Sequence, residues 1–294
     1  MPVYAMQVGL LAALSAIGMQ MKAAAQEDAA ARPRTTVRLA QMRGVPEKWN
    51  VEASFAVFLD MLELASAQRA DLFITPECWL DGYAAPDKIS TPEKLREVAQ
   101  DLDTSSYIQR VAKEARERKM YICFGFSSVE DGKLYNSAGF WNDKGELLGV
   151  YHKTHIQTHD RQYSPGQDLP VWPTPWGPMG IMICADRRWP ETARTLRLKG
   201  ARLILNPTYG FHGELNEVMM RTRSYENQCY IAFTHPEESL ITGPKGGVLA
   251  KTWAEGPGVF VTEIDLSRVH DDNHLADRRP ELYMAITEVE KRSE

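Results

Sequence analysis

Three apolar runs in this sequence each stop at a different reactive side chain. Leu72-Phe73-Ile74-Thr75 leads through Pro76 to Glu77. Leu147-Leu148-Gly149-Val150-Tyr151-His152 leads to Lys153, and Met179-Gly180-Ile181-Met182-Ile183 leads to Cys184. A carboxylate can take a proton from a thiol, an ammonium can stabilise developing negative charge, and a thiolate can attack a carbonyl carbon. Cys184 is followed by the charged stretch Ala185-Asp186-Arg187-Arg188 and then by Pro190. Proline suits a first helical turn, where its missing N–H would be unpaired anyway. A cysteine with a packing role more usually lies inside such a run. Taken singly, a Glu or Lys at a strand end is an ordinary solvated boundary residue, and chain order does not establish proximity.

The elements that must position these groups alternate from Thr35 onward. Val37 to Met42 reads as a strand. Asn50 then caps a helix whose apolar residues Val51, Phe55, Phe58, Leu62 and Ala65 recur at helical spacing. A short strand ends in Pro76-Glu77, and Cys78 to Asp103 reads as loop, with Gly82, Pro86 and Pro92. A helix follows from Ser105 to Lys119. Tyr121 to Val129, Leu134 to Trp141 and Leu147 to His152 read as strands joined by turns at Asp131-Gly132 and Asp143-Lys144-Gly145. The strand ending at Cys184 leads to a helix from Pro190 to Lys199, a strand Arg202 to Leu205, a helix Leu215 to Glu226 and a strand Tyr230 to Thr234. Strands at Gly247 to Lys251 and Gly258 to Ile264 precede a polar tail. Hairpins set within a strand–helix alternation imply mixed sheets, and helices on one side of each sheet would force the two sheets face to face.

Composition narrows the function classes. The 294 residues are 44% apolar and 25% charged, ample for one core and unlike a disordered chain. A formal charge of −5 without a dense Lys/Arg block argues against nucleic acid as a partner. Cys78, Cys123, Cys184 and Cys229 are widely spaced, with no C-x-x-C pair, and read mostly as free thiols. Val8 to Met19 has the length of a signal-peptide core and is too short for a membrane span. Ala23-Ala24-Ala25 offers a cleavage site, so residues 1–25 are expected to be a signal peptide and 26–34 a polar leader. Export to the periplasm or medium is then the expectation. An unprocessed cytoplasmic extension is the alternative, because Met1 to Gln7 holds no Lys or Arg.

The segments around Glu77, Val150-Tyr151-His152-Lys153-Thr154-His155 and Gly180-Ile181-Met182-Ile183-Cys184 resemble, in order and separation, the three signature segments of the nitrilase superfamily of carbon–nitrogen hydrolases. The resemblance continues through Lys199 to Pro207, with Asn206 in the pattern, through Arg223 to Gln228, and through Asp277 to Tyr283. It implies a single α+β domain over residues 35–283, a four-layer α-β-β-α sandwich of two mixed sheets, with 284–294 as a tail. It implies a homodimer or higher homo-oligomer, no cofactor and no metal. It also implies a Glu77-Lys153-Cys184 triad in which Glu77 is general base, Cys184 forms a thioester, and Lys153 with the Ala185 N–H stabilises the oxyanion.

The nucleophile segment Cys184 to Glu191 is similar to that of the N-carbamoyl-D-amino acid amidases, except at Ala185, where that branch has Asn. That likeness makes Arg187 and Arg188 candidates for a substrate carboxylate, which guanidinium geometry suits; pairing with Asp186 or Glu191 is the alternative. His155 is expected to line the pocket beside Lys153. True nitrilases usually follow the cysteine with Trp-Glu, which is absent here, so the substrate is expected to be a linear amide or N-carbamoyl amine. Many members also carry a second glutamate six residues before the proline of a Pro-Gly pair. Counting back from Pro165 reaches His159, with Asp160 beside it. Either Asp160 substitutes after a one-residue shift or His159 alters the chemistry. Two rival readings follow: a catalytically weakened binding or scaffold protein, and a metal site built from His152, His155, His159 and Asp160.

Overall fold

The computed structural model describes residues 35–254 and 256–288; the expected signal peptide and leader lie outside the described residues. Strands β1 (Thr36–Arg43), β2 (Leu72–Ile74), β3 (Tyr121–Glu130), β4 (Lys133–Trp141), β5 (Leu147–His152) and β12 (Gly258–Asp265) form one sheet, in the order β12-β1-β2-β3-β4-β5. The second sheet runs β11-β10-β9-β8-β7-β6. Its strands are β6 (Val171–Trp172), β7 (Met179–Ile181), β8 (Leu203–Pro207), β9 (Tyr230–Thr234), β10 (Glu238–Thr242) and β11 (Val248–Trp253). Each sheet is mixed: β1, β2 and β3 are parallel, as are β7, β8 and β9, and the flanking strands are antiparallel.

Strand alternation explains the layering. Leu72, Ile74, Leu203 and Leu205 point between the sheets and join Leu39, Phe140, Met179, Ile181, Ala232 and Ile241 in one core. The intervening Phe73 turns outward to meet Phe55, Phe58 and Leu62 of α1 (Val51–Ala67) and Ile108 and Val111 of α3 (Ser106–Arg118). On the other sheet Ile204 turns outward to Ala193 and Leu196 of α4 (Pro190–Leu198) and Met220 of α5 (Glu214–Asn227). The result is the α-β-β-α sandwich the resemblance implied. Burying each large apolar side chain in these layers contributes about 1.5–3 kcal/mol.

Local signals held where they had a mechanism. The Asn50 side chain accepts the Ala53 N–H at the start of α1, and Ser105 accepts that of Ile108 at the start of α3. Four elements differ from the sequence reading, the first being the two-residue β6, which lies in a stretch without a strand signal. Pro92, read as loop punctuation, sits in the first turn of α2 (Pro92–Val98), behind a Thr91 cap that accepts the Lys94 N–H. β10 escaped notice because Glu238, Ser239 and Thr242 are polar yet buried; Glu238 accepts the Gly213 N–H, and the Thr242 and Ser224 hydroxyls pair. β7 ends at Ile181, not at Cys184, because the chain breaks there toward a 3-10 turn over Cys184–Arg188.

Candidate active site

Glu77, Lys153 and Cys184 converge through sheet direction. β4 is antiparallel to β3 and β5 antiparallel to β4, so β5 runs with β2, and Glu77 and Lys153 leave the same end of one sheet. Cys184 follows β7 of the facing sheet. Glu77 and Lys153 are buried and Cys184 is 6% exposed. Lys153 Nζ donates to Glu77 Oε1 at 2.8 Å and to Asp160 Oδ2 at 2.6 Å. The Glu77 carboxylate also accepts Asn136 Nδ2 at 2.7 Å and the Tyr209 main-chain N–H at 3.0 Å. Gly125 lets this strand end pass: a Cβ there would stand 2.5 Å from the Pro76 carbonyl oxygen.

Cys184 has a φ of +44°, a left-handed backbone that non-glycine residues adopt at a cost and mostly at functional positions. The strained turn presents Sγ toward Gly210, where an added Cβ would lie 3.1 Å from the sulfur. Burial pushes the thiol above its ordinary range and Glu77 adds to this, while Lys153 and Arg187 oppose it. For Lys153 burial disfavours the charge, but Glu77, Cys184 and Asp160 outweigh it and hold the ammonium well above its usual range. The lysine therefore stays protonated across the physiological range.

Of the two adjacent candidates, Asp160 is the one that bonds Lys153. It lies buried at the end of a 3-10 turn over Thr158–Asp160, one residue after the position reached by counting back from Pro165. Its Oδ1 accepts the Tyr83 hydroxyl at 2.9 Å while Oδ2 holds Lys153. His159 stays at the rim, its side chain 56% exposed, with Nε2 3.2 Å from the Tyr83 oxygen and 3.7 Å from Asp160 Oδ1. Lys153 thus has a second carboxylate partner beside Glu77.

The remaining sequence candidates separate. His155 lies beside the site, but its main-chain N–H and Nδ1 both meet Asp186 Oδ1, at 2.9 and 2.8 Å, and its ring stacks on Trp189 at 4.0 Å. Ala185 is buried in the nucleophile turn. Asn206 is buried on β8, its Nδ2 donating to the Met182 carbonyl. Arg187 is fully buried. Its Nε donates to Asn216 Oδ1 at 2.8 Å, its Nη2 to the Phe211 carbonyl at 2.7 Å and its Nη1 to Cys184 Sγ at 3.5 Å. Arg188 is exposed, with Nη1 on Gln157 Oε1 at 2.7 Å. Neither arginine pairs with Asp186 or Glu191 among the described residues.

The four residues of the proposed metal set do not share a site. His152 bonds to Ser137 and Glu130, His155 to Asp186, His159 to Tyr83, and Asp160 to Lys153 and Tyr83. Among the described residues the donors that do cluster are His212, His235 and Glu237, within 4.8 Å of one another. His235, however, engages both ring nitrogens, one with the Tyr209 carbonyl and one with the Glu237 N–H. That cluster braces the loop between β8 and α5.

Sequence reasoning missed four contributors. Asn136 is a polar residue within the apolar pattern of β4, a signal that could have been read. Tyr83 and Gly210 come from loops without a motif, and Tyr209 acts through its main chain, which leaves no trace in side-chain chemistry. Asp186 pairs with neither arginine among the described residues. It instead accepts from Tyr151, Thr154, His155 and the Ile183 N–H.

Comparison with known proteins identifies the family and the fold. Residues 36–273 match the profile of the carbon–nitrogen hydrolase family. The chain is 31% identical to a nitrilase of Pyrococcus abyssi, over 84% of this chain and 99% of that one. It is 29% identical to the omega-amidase of Homo sapiens, over 70% of this chain and 80% of the relative. Among solved structures it is similar to an amidase from Nesterenkonia sp., with a TM-score of 0.73 at 23% identity, covering 87% of this chain and 98% of the other.

Proposed function

The chain belongs to the carbon–nitrogen hydrolase family and hydrolyses C–N bonds other than peptide bonds, and from that premise we propose that it cleaves a small linear amide or N-carbamoyl amine through a Cys184 thioester. Glu77 takes the Cys184 proton, and the sulfur bonds to the substrate carbonyl carbon. Lys153 and the Ala185 N–H stabilise the resulting oxyanion. Collapse expels the amine with a proton returned from Glu77. Glu77 next accepts a proton from water, whose oxygen displaces the sulfur and releases the acid. The proton held by Glu77 then passes to the released sulfur, so one water is consumed per turnover and the resting thiol and carboxylate are restored.

The observation that carries this reading is the buried Lys153 cation, bonded to both Glu77 and Asp160 and acting on Cys184. A buried ion cluster is a weak device for stability, since an apolar replacement often does as well. Its placement against an unusually held cysteine favours chemistry. Arg188, the exposed member of the pair, is the better placed to meet a substrate carboxylate, and Arg187 is committed inward.

A panel of aliphatic amides and N-carbamoyl amino acids, assayed for ammonia or amine release with wild type and Cys184→Ala, tests the proposal. Release blocked by iodoacetamide, insensitive to chelator and lost in Cys184→Ala is expected. Binding of panel compounds without turnover would instead identify a scaffold or binding protein.

We also propose self-association. Leu282, Met284 and Ile286 follow one another on exposed turns near the end of the described chain, each more than half exposed. A second copy would remove that apolar surface from water. Among the described residues no helix is long and apolar enough to cross a membrane.

A further inference from the structure

Arg187 is fully buried, yet no carboxylate lies within ion-pair distance of it among the described residues. Its acceptors are neutral: the Asn216 amide oxygen, the Phe211 carbonyl and the cysteine sulfur. Its guanidinium also lies over the Phe211 ring at 4.4 Å and toward the Phe233 ring at 5.4 Å. A buried cation held only by dipoles and ring faces is costly unless an anion joins it. The neighbouring Asp186 cannot serve, because its oxygens receive Tyr151, Thr154, His155 and Ile183.

The charge count around the nucleophile identifies the anion. Lys153 faces two carboxylates, Glu77 at 2.8 Å and Asp160 at 2.6 Å, so these three groups together are net negative. A thiolate formed beside them would add a further negative charge. Tyr83, from the loop after β2, is kept a neutral phenol by burial and by Glu77, Cys184 and Asp160. His235, after β9, is neutral near pH 7, pushed down to about 4 by burial and His212. Among the described residues Arg187 joins Lys153 as a cation acting on the sulfur, and its Nη1 is already on Sγ at 3.5 Å.

We propose that Arg187 is a catalytic residue that stabilises the Cys184 thiolate as the thiol proton passes to Glu77. The S–H bond breaks, an O–H bond forms on Glu77, and the guanidinium N–H···S contact becomes charge-assisted on both sides. Asn216 and the Phe211 carbonyl fix the plane of the fork so that Nη1 cannot turn from the sulfur. This role differs from holding a substrate carboxylate, because it operates before any substrate arrives. It rests on Cys184 being the nucleophile.

The test measures iodoacetamide alkylation of Cys184 in the full-length protein against pH, with the labelled peptide identified by mass spectrometry, and no substrate present. In Arg187→Met the pH of half-maximal alkylation is expected to rise by about 1–3 units, the usual effect of losing an adjacent opposite charge. Arg187→Lys should recover part of that shift. A folded Arg187→Met with the wild-type profile overturns the proposal, even if KM for carboxylate-bearing amides rises. Should Arg187→Met not fold, Arg187→Lys and Asn216→Ala take its place: smaller shifts in the same direction support the role, and unchanged profiles in both overturn it. Absence of amide turnover by wild type with Cys184 alkylating normally would count against the hydrolytic reading alone.

Discussion

The Asp186 carboxylate receives His155 twice, main-chain N–H at 2.9 Å and imidazole Nδ1 at 2.8 Å, so the segment after Lys153 is tied to the turn that starts at Cys184. Tyr151 and Thr154 reach the same acid from the lysine side and the Ile183 N–H from the cysteine side. One buried acid therefore registers the ends of two facing sheets. Registry of this kind matters because a misplacement of about 1 Å between reacting groups can cost about 100-fold in rate.

Asp186→Asn should keep the volume of this junction while replacing an acceptor-only oxygen with a donor. We expect kcat to fall about 100-fold, and the urea midpoint to drop by the equivalent of about 1–3 kcal/mol for the donors left unsatisfied. Steady-state kinetics and urea unfolding on the same preparation check both. Wild-type kcat in a folded variant would remove Asp186 from the positioning machinery.

Asp160 and His159 should behave oppositely despite being neighbours. Asp160→Asn removes a charge bonded to Lys153 at 2.6 Å, and turnover is expected to fall by about 100-fold or more. His159→Ala touches an exposed ring, and kcat should stay within about threefold of wild type. Equal losses would mean that the one-residue shift is not what supplies the second carboxylate.

His235 should leave a signature in stability against pH. Its folded value, pushed down to about 4, lies below the ordinary histidine value of 6.5, so the unfolded chain binds the extra proton between those limits. Its contribution is complete above pH 6.5 and is lost as pH falls toward 4, amounting to about 3 kcal/mol. Asp81 has the opposite sign: burial raises it from 3.8 to about 6, so its penalty is relieved over much the same interval. Wild type should therefore change little from these two groups. His235→Gln should become relatively more stable as pH falls from 6.5 to 4, measured by urea midpoints across the range.

Met284→Glu with Ile286→Glu should convert the associated protein to a monomer if the exposed tail turns carry the contact. Sedimentation velocity of wild type and double variant at several concentrations reads this directly. A variant that sediments like an oligomeric wild type would place the contact elsewhere.

Much of this was legible in the sequence because it is written in local terms. Short continuous apolar runs mark β2 and β8 as buried strands, the cap at Asn50 sets where a helix begins, and each apolar run stops at its reactive group. The three runs in order also carried the family likeness. β10 was hidden because its polar residues are satisfied by partners far along the chain, such as Gly213 and Ser224.

What the sequence determined by itself was therefore the reactive groups and the strands that deliver them. Tertiary structure alone decided which charges meet. The sequence left Asp160 and His159 as alternatives, and a 3-10 turn buries one carboxylate against Lys153 while leaving the imidazole half-exposed on the Tyr83 hydroxyl. It presented Arg187 and Arg188 as an equivalent pair, and the strained turn at Cys184 sends one guanidinium to the sulfur and the other to the surface. Adjacent residues in such a turn point in different directions. Electrostatic energy depends on distance and burial, which residue order does not encode.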